Sequence, residues 1–316
     1  MKQPLCDSFV SRRDILRGFG ALGIAAAASR AALASTPSGP NLEAFKPVRF
    51  AVIGDWGNGE SGQMAIGERI ALVHRETPLE LILSVGDNIY PNGEPEDFGE
   101  KFERPYAELI EQNVPFYTVF GNHDVRKGRD AQLRYPLFNM NGRNYYTVER
   151  GNGLVEFFML DSTAMDERQV AWVDKSLAES TAVWKVVVVH HPPYSSGKRH
   201  GSDKDVRRAL EPLLVRHKVA AVFSGDDHVY QRVVPQQGVQ YFVTGAAGKI
   251  RHGDLERDRY VAAGYDEGNH FMVVEASLAG LTSRALDEKG QVVDSVETVA
   301  ETPAVARLLS RFAPRA

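Results

Sequence analysis

Five short blocks of residues able to ligate a metal punctuate this chain, and an apolar run precedes each one. They are Gly54-Asp55-Trp56-Gly57, Gly86-Asp87-Asn88-Ile89-Tyr90, Gly121-Asn122-His123-Asp124, His190-His191-Pro192 and Gly225-Asp226-Asp227-His228. Their side chains offer carboxylate, amide, phenol and imidazole donors. Oxygen and nitrogen donors without thiolates suit Fe, Mn or Zn rather than a structural thiolate site. A carboxylate placed between two metal ions bridges them and fixes their spacing. Two ions roughly 3.5–4 Å apart clamp both oxygens of an in-line phosphoryl displacement and bring the pKa of bound water from about 15.7 towards 7. Taken singly, each block has a plain structural reading. Gly-Asp after a strand is commonly a turn, Asn-His-Asp a capping cluster, and a His ending a Val run a hydrogen-bonded loop residue. Five such blocks in order, each behind an apolar run, make coincidence a poor explanation.

The runs that must position these blocks cover 50–53, 81–85, 116–120, 186–189 and 219–223, and each reads as a buried strand. In open α/β sheets, sites gather outside the carboxyl ends of strands, so five strands would deliver their donors to one edge of the fold. Apolar spacing predicts a helix over 63–74 and a second over 98–112, interrupted at Pro105. Strand and helix alternate here, which is the signature of a parallel sheet. Further on, 145–148, 154–160, 241–244 and 271–275 are strand-like, as are short runs near Leu281 and Val292. Residues 168–179 and 204–217 are helix-like. The expectation is one α/β domain over 48–298, with two packed mixed β-sheets flanked by helices. The chain shows no internal repeat.

The order of the blocks resembles the calcineurin-like metallophosphoesterase superfamily. Tyr90, three residues after Asp87, narrows the resemblance to the purple acid phosphatases. Leu83-Ser84-Val85-Gly86-Asp87-Asn88, Phe158-Met159-Leu160-Asp161 and Tyr241-Phe242-Val243-Thr244-Gly245 look like the small, tartrate-resistant branch, as does Gly54-Asp55-Trp56-Gly57. The similarity runs from about residue 48 to 250. It implies a four-layer α/β/β/α sandwich holding two metal ions. Asp55, Tyr90 and His228 would bind the first, an Fe(III) whose tyrosinate bond colours the protein. Asp87 would bridge both. Asn122 and His190 would bind the second, an Fe, Mn or Zn ion. His190 is preferred over His191 because the family ligand lies two residues before a proline, here Pro192. His123 would contact the phosphate or the leaving group. His200, followed by Gly201, resembles a histidine that donates a proton, although its spacing from His190 is one residue longer than the family pattern.

The last block departs from that pattern. The family reads Gly-His-x-His, and here the first histidine, a ligand of the second metal, is Asp226. A carboxylate can still ligate, and as a harder anionic donor it favours Mn or Fe over Zn. Its charge weakens the pull on an anionic phosphate and raises the pKa of bound water. The alternative is that Asp226 turns away and leaves the second site weak. The resemblance thus implies a phosphatase that hydrolyses phosphomonoesters by metal-hydroxide attack, with an acidic optimum. A phosphodiesterase or nucleotidase on the same site is the nearest rival. A metal-poor, non-catalytic binding protein is the other.

The composition is that of an ordinary globular protein, with 43% hydrophobic and 25% charged residues in 316. Ser11-Arg12-Arg13-Asp14-Ile15-Leu16, a short Ala/Gly-rich apolar stretch and Ala32-Leu33-Ala34 read as a twin-arginine signal peptide over 1–34. A linker over 35–47 follows, and 299–316 forms a C-terminal tail. The expected location is periplasmic or secreted, with no stable membrane anchor after cleavage. Residues 1–34 hold five Lys/Arg and two Asp/Glu, so a net charge of −4 becomes about −7 once they are removed. That balance argues against a nucleic-acid binding surface and leaves a small phosphate ester as the expected partner. Nothing in the sequence specifies an oligomeric state. Cys6 is the sole cysteine and lies in the signal segment, which excludes a disulfide or thiol nucleophile beyond it.

Other residues have plainer readings. Ser195-Ser196 lacks a Gly-x-Ser-x-Gly elbow. Gly245-Ala246-Ala247-Gly248 lets backbone pass close to the site rather than forming a phosphate loop. His217 ends a helix. His252 and His270 either line an entrance or simply pack. Lys198, Arg199, Lys249 and Arg251 lie near site-forming loops, as solvated charge or as attraction for phosphate.

Overall fold

A computed structural model describes residues 45–299. The expected signal segment, most of the linker and nearly all of the tail lie outside these residues. The apolar runs do become strands, and they assort into two sheets. The first has six strands, in the order β13 (Val292–Thr298), β12 (Leu281–Asp287), β11 (His270–Ala276), β1 (Val48–Ile53), β2 (Leu81–Ser84) and β3 (Phe116–Thr118). The second has seven, in the order β10 (Val261–Tyr265), β8 (Tyr230–Val233), β9 (Gln240–Thr244), β7 (Ala221–Ser224), β6 (Trp184–Val188), β5 (Val155–Met159) and β4 (Tyr146–Arg150). The strands β1, β2 and β3 run parallel, as do β5, β6, β7 and β9, while the outer strands pair antiparallel. Both sheets are therefore mixed, as expected.

Alternation along the central strands shows why their sequences are apolar throughout. In β6, Val186 and Val188 join the core between the sheets, whereas Val187 and the adjoining Val189 join the core beneath the helices. The same split separates Ala221 and Phe223 from Val222 in β7. A strand buried on both faces needs no polar positions. Between the sheets, Phe50 meets Phe157 edge-on at 4.9 Å. The helices α4 (Glu167–Glu179) and α5 (Lys204–Arg216) cover the second sheet with Val173, Leu177, Val206, Leu210 and Leu214. Helix α1 (Ser61–Glu76) buries Ile66 and Ile70 in the same core as β1 and β2. These layers form the expected sandwich.

Two stretches differ from expectation. The predicted helix over 98–112 is a π-type turn at Gly99–Glu103 followed by the short α2 (Ala107–Glu111). Pro105 supplies no N–H and its ring disrupts the preceding turn. The wide turn closes with Arg104 N–H donating to Gly99 O at 2.9 Å, and the Gln63 amide caps the freed Lys101 carbonyl at 2.6 Å. Strands β8 and β10 were not foreseen. Val261-Ala262-Ala263-Gly264-Tyr265 is a partly exposed edge with little β-branched content, so it carries a weak strand signal. The carboxylate of Asp294 in β13 takes hydrogen bonds from Tyr230 Oη and Arg232 Nε in β8, both at 2.7 Å, and so pins one sheet to the other. Among the described residues no helix is long and apolar enough to cross a membrane.

Candidate metal centre

All five blocks leave the carboxyl ends of strands. Three leave β1, β2 and β3 of the first sheet, and two leave β6 and β7 of the second. The three Gly-Asp steps share a backbone solution. Asp55, Asp87 and Asp226 all have left-handed φ, at 54°, 52° and 68°. Asp tolerates that region better than most residues, yet it costs of order 1 kcal/mol or more. The turn reverses the chain at once and aims each carboxylate back over the strand ends. Asp226 thus occupies the same kind of turn as the two aspartates of the first sheet. The neighbouring glycines make room: a Cβ on Gly121 would lie 2.1 Å from Asp87 Oδ1, and one on Gly225 would lie 2.4 Å from Asp55 Oδ2.

Two groups of donors result. Tyr90 Oη lies 3.2 Å from Asp55 Oδ1 and 3.2 Å from His228 Nε2, and the last two atoms are 3.4 Å apart. Metal–donor bonds of about 2.0–2.2 Å set adjacent donors roughly 3 Å apart, so this triangle is nearly the size that one ion requires. In the second group, His190 Nε2 lies 3.2 Å from Asn122 Oδ1, and 3.7 Å from both Asp87 Oδ1 and Asp226 Oδ1. Asp226 therefore points inward. The ring of His190 is set by its other nitrogen, which donates to Val85 O at 2.9 Å and so turns Nε2 towards the other donors.

The electrostatics fit cations. Burial, with help from Asp87 and Asp226 and against His190, pushes the Asp55 carboxyl well above its ordinary range. Burial, then the charges of Asp55 and Asp87, push the Tyr90 phenol up. Asp87 resists its own burial and is lowered, because His190, His123 and the His123 N–H favour its charge. His190 is pulled down by burial, but Asp87, Asp55 and Asp226 together raise it to about 9. Burial, then Arg251 and Lys249, hold His228 at about 3, a neutral imidazole ready to ligate. Packed anions that need a positive partner, met in part by a proton on His190, beside the neutral imidazole of His228, suit two metal ions.

The structure also places the two proposed proton-handling histidines. Nδ1 of His123 donates to Pro91 O at 2.7 Å, its ring centroid lies 4.6 Å from that of Tyr90, and its backbone N–H holds Asp87 Oδ1 at 2.9 Å. His200 is partly exposed, with Nδ1 3.9 Å from Asp226 Oδ2. Its loop is tied by Asp227, which accepts from the N–H groups of His200 and Gly201 at 3.1 and 2.9 Å and from Ser195 Oγ at 2.5 Å. Ser195 is thus a structural donor rather than a nucleophile. Lys249 Nζ sits 4.0 Å from the Tyr90 ring centroid, and with Arg251 it bears on His228, so two of the four cations near the site-forming loops act on the centre. His270 does not line an entrance. It is wholly buried, with Nε2 3.1 Å from Thr244 Oγ1. His217 caps the end of α5 and meets Asp174 at 2.6 Å.

Sequence reasoning gave no role to Asp124, which the structure makes the organiser of two ligand loops. Its fully buried carboxylate accepts from the N–H groups of Asn88, Ile89 and Gly121, at 3.1, 3.0 and 2.8 Å. The amides of Asn88 and Gln132 donate to it at 3.1 and 2.8 Å. The chain Gly-Asn-His-Asp carried that signal only as a possible capping cluster. His191, set aside in favour of His190, also lies at the second group.

Residues 48–230 match the family described as calcineurin-like phosphoesterase. The chain is similar to tartrate-resistant acid phosphatase type 5 of Oryctolagus cuniculus, with 28% identity over 301 residues, covering 84% of this chain and 91% of that protein. It is similar to purple acid phosphatase 17 of Arabidopsis thaliana, with 29% identity over 241 residues, covering 66% and 70%. Among solved structures, purple acid phosphatase PPD1 from yellow lupin seeds shares the fold with a TM-score of 0.70 at 18% identity, over 83% of this chain and 55% of that one. GAP50, described as the anchor in the inner membrane complex of Plasmodium, shares it with a TM-score of 0.70 at 21% identity, over 83% and 95%.

Proposed function

Since the chain belongs to the calcineurin-like phosphoesterase family, we propose that it is an exported, two-metal phosphatase acting on small phosphomonoesters. The fold alone does not carry this, because one fold serves many functions. The observation that carries it is the pair of donor groups, with Asp55, Tyr90 and His228 in one and Asn122, His190 and Asp226 in the other, and Asp87 beside the second. Asp87 is assigned the bridging position. The tyrosine-bearing position is assigned to Fe(III) and the other to Fe, Mn or Zn. When bound, the two metals supply Lewis acidity and lower the pKa of water at the site.

The chain's own residues do the rest. Asp124 holds the loops of Asp87 and Asn122 in fixed relation, so little reorganisation is left for the reaction itself. A carbonyl cannot donate, so the proton on His123 is at Nδ1, facing Pro91 O, and Nε2 is an acceptor until the ring charges. His200 faces Asp226 across 3.9 Å and is open to solvent, which suits it to hold a proton for a departing alkoxide. Lys249 adds positive charge beside Tyr90 and offsets part of the negative charge that Asp226 brings. The twin-arginine pattern supports export of a protein already folded around its metals, to the periplasm or beyond.

The test is turnover of a chromogenic phosphate monoester and its matching diester by protein loaded with Fe and then with Fe, Mn or Zn. Monoester hydrolysis that Asp87→Ala abolishes is the expected result. Faster diester turnover would make it a phosphodiesterase. No turnover with any metal pair would leave a binding protein.

A further inference from the structure

The second donor group holds an imidazole that the family pattern does not supply. The ligand atoms of His190, His191 and Asp226 all lie within 4.8 Å of one another. With bonds of about 2.0–2.3 Å, donors on opposite sides of an ion stand roughly 4.0–4.6 Å apart, so the three atoms can meet one ion after small adjustment. The last block has lost an imidazole at Asp226. The residue after His190 puts one back in the same space.

The His191 ring is held in place by a contact reaching across 29 residues of sequence. Ser162 Oγ accepts the His191 backbone N–H at 3.0 Å, and the same oxygen lies 2.8 Å from His191 Nδ1. When Nδ1 carries the ring proton and donates it to Ser162, Nε2 keeps a bare lone pair. A hydrogen bond on one ring nitrogen is the usual way that a ligating imidazole is oriented through the other. In that tautomer the Ser162 hydroxyl accepts from His191 as Val85 O accepts from His190.

Resting on the two-metal reading, we propose that His191 is a ligand of the second metal, alongside Asn122, His190, Asp226 and the bridging Asp87. Asp226 then adds a carboxylate to a two-histidine site rather than costing the site an imidazole. Two imidazoles with the carboxylates of Asp226 and Asp87 and the Asn122 amide oxygen form a mixed nitrogen and oxygen donor set suited to Fe or Mn, and Mn(II) serves as its paramagnetic probe.

The experiment places diamagnetic Ga(III) in the tyrosine-bearing position and Mn(II) in the other, and counts imidazole nitrogens coupled to Mn(II) by pulsed electron paramagnetic resonance. Two coupled imidazoles are expected in the unaltered protein and one in His191→Gln. The Mn(II) affinity of His191→Gln, read by equilibrium dialysis and elemental analysis, should fall about 100-fold or more. Ser162→Ala should lose less, within the roughly 10–100-fold range for an outer partner. The visible band of Fe(III)-loaded His191→Gln should stay unchanged and report an intact fold. One coupled imidazole in the unaltered protein, or an affinity in His191→Gln within threefold of it, would overturn the proposal while leaving two metals bound. Fewer than two metals per unaltered chain would overturn the underlying reading as well.

Discussion

At the residue scale, the site is a set of donors held by other side chains rather than by their own rigidity. Asp124 is the clearest case. Five donors converge on one buried carboxylate, and they come from the loops after β2 and β3 and from Gln132 in α3 (Arg129–Arg134). Asp124→Asn keeps the shape but turns an NH2 group towards N–H groups that need an acceptor. Hydrogen bonds to a charged acceptor are worth about 1.5–3 kcal/mol, and an unsatisfied buried donor costs about 1–3 kcal/mol. The expected loss is therefore about 2–4 kcal/mol of stability, read by urea unfolding, with monoester turnover falling through misplaced Asp87 and Asn122. Equal stability with full turnover would show that these loops hold themselves. This role was hard to see in the sequence, because three of the five donors reach Asp124 from Asn88 and Ile89, 36 and 35 residues away. The same holds for His191, whose partner Ser162 belongs to a different loop. The blocks that hold Asp55, Asp87, Tyr90, Asn122, His190, Asp226 and His228 were legible because each follows a strand end, and strand ends are what apolar periodicity marks best; the choice among their residues came from the family resemblance.

At the element scale, strands buried on both faces announced themselves as continuous Val, Leu and Phe runs, and α4 and α5 as helical spacing. The exceptions have local causes. The edge strand β10 has little β-branched content, and the turn at Gly99–Glu103 depends on Pro105 and on a distant glutamine amide. The junction of β9 and β11 hides a further consequence. His270 begins β11, wholly buried, with Thr244 at one nitrogen and no partner at Nδ1. Burial alone holds this imidazole at about 3, against about 6.5 when unfolded. Between those values the unfolded chain binds the extra proton, so stability rises with pH there and is lost as pH falls below about 6.5. By pH 5 the loss amounts to about 2 kcal/mol. His270→Gln retains a polar group for Thr244 and removes the titration. The fall in unfolding free energy from pH 7 to pH 5 should then shrink by about 2 kcal/mol. Parallel curves for the two proteins would place the acid sensitivity elsewhere. If the acidic optimum that the family resemblance implies holds, His270 would be one place where packing limits the working range.

At the scale of the whole molecule, the site lies where the two sheets come together, and each donor group takes members from both. Asp55 and Tyr90 leave the first sheet and His228 the second; Asn122 leaves the first, His190 and Asp226 the second. Ions held there would cross-link sheets that otherwise meet through apolar packing and the Asp294 contacts with Tyr230 and Arg232. Metal removal should therefore lower the melting temperature of the entire domain rather than loosen one loop. A ligand present at a thousand times its dissociation constant stabilises by about 4 kcal/mol. In a domain of this size that corresponds to a shift of about 8–16 °C. The shift should depend on pH. Asp55 has its carboxyl raised in the metal-free fold, so that fold takes up a proton before the unfolded chain does, and gains stability as pH falls through the raised pKa. Metal is bound less well in acid because its ligands must be deprotonated. The gap between metal-loaded and stripped protein should thus be widest near neutrality and narrow at pH 5. Calorimetry on chelated protein, with elemental analysis to show that it is metal-free and re-addition of metal to show reversal, measures both effects. A melting temperature unchanged within 2 °C at neutral pH would mean that the sheets hold this geometry without ions, and that the buried carboxylates are neutralised by protons instead.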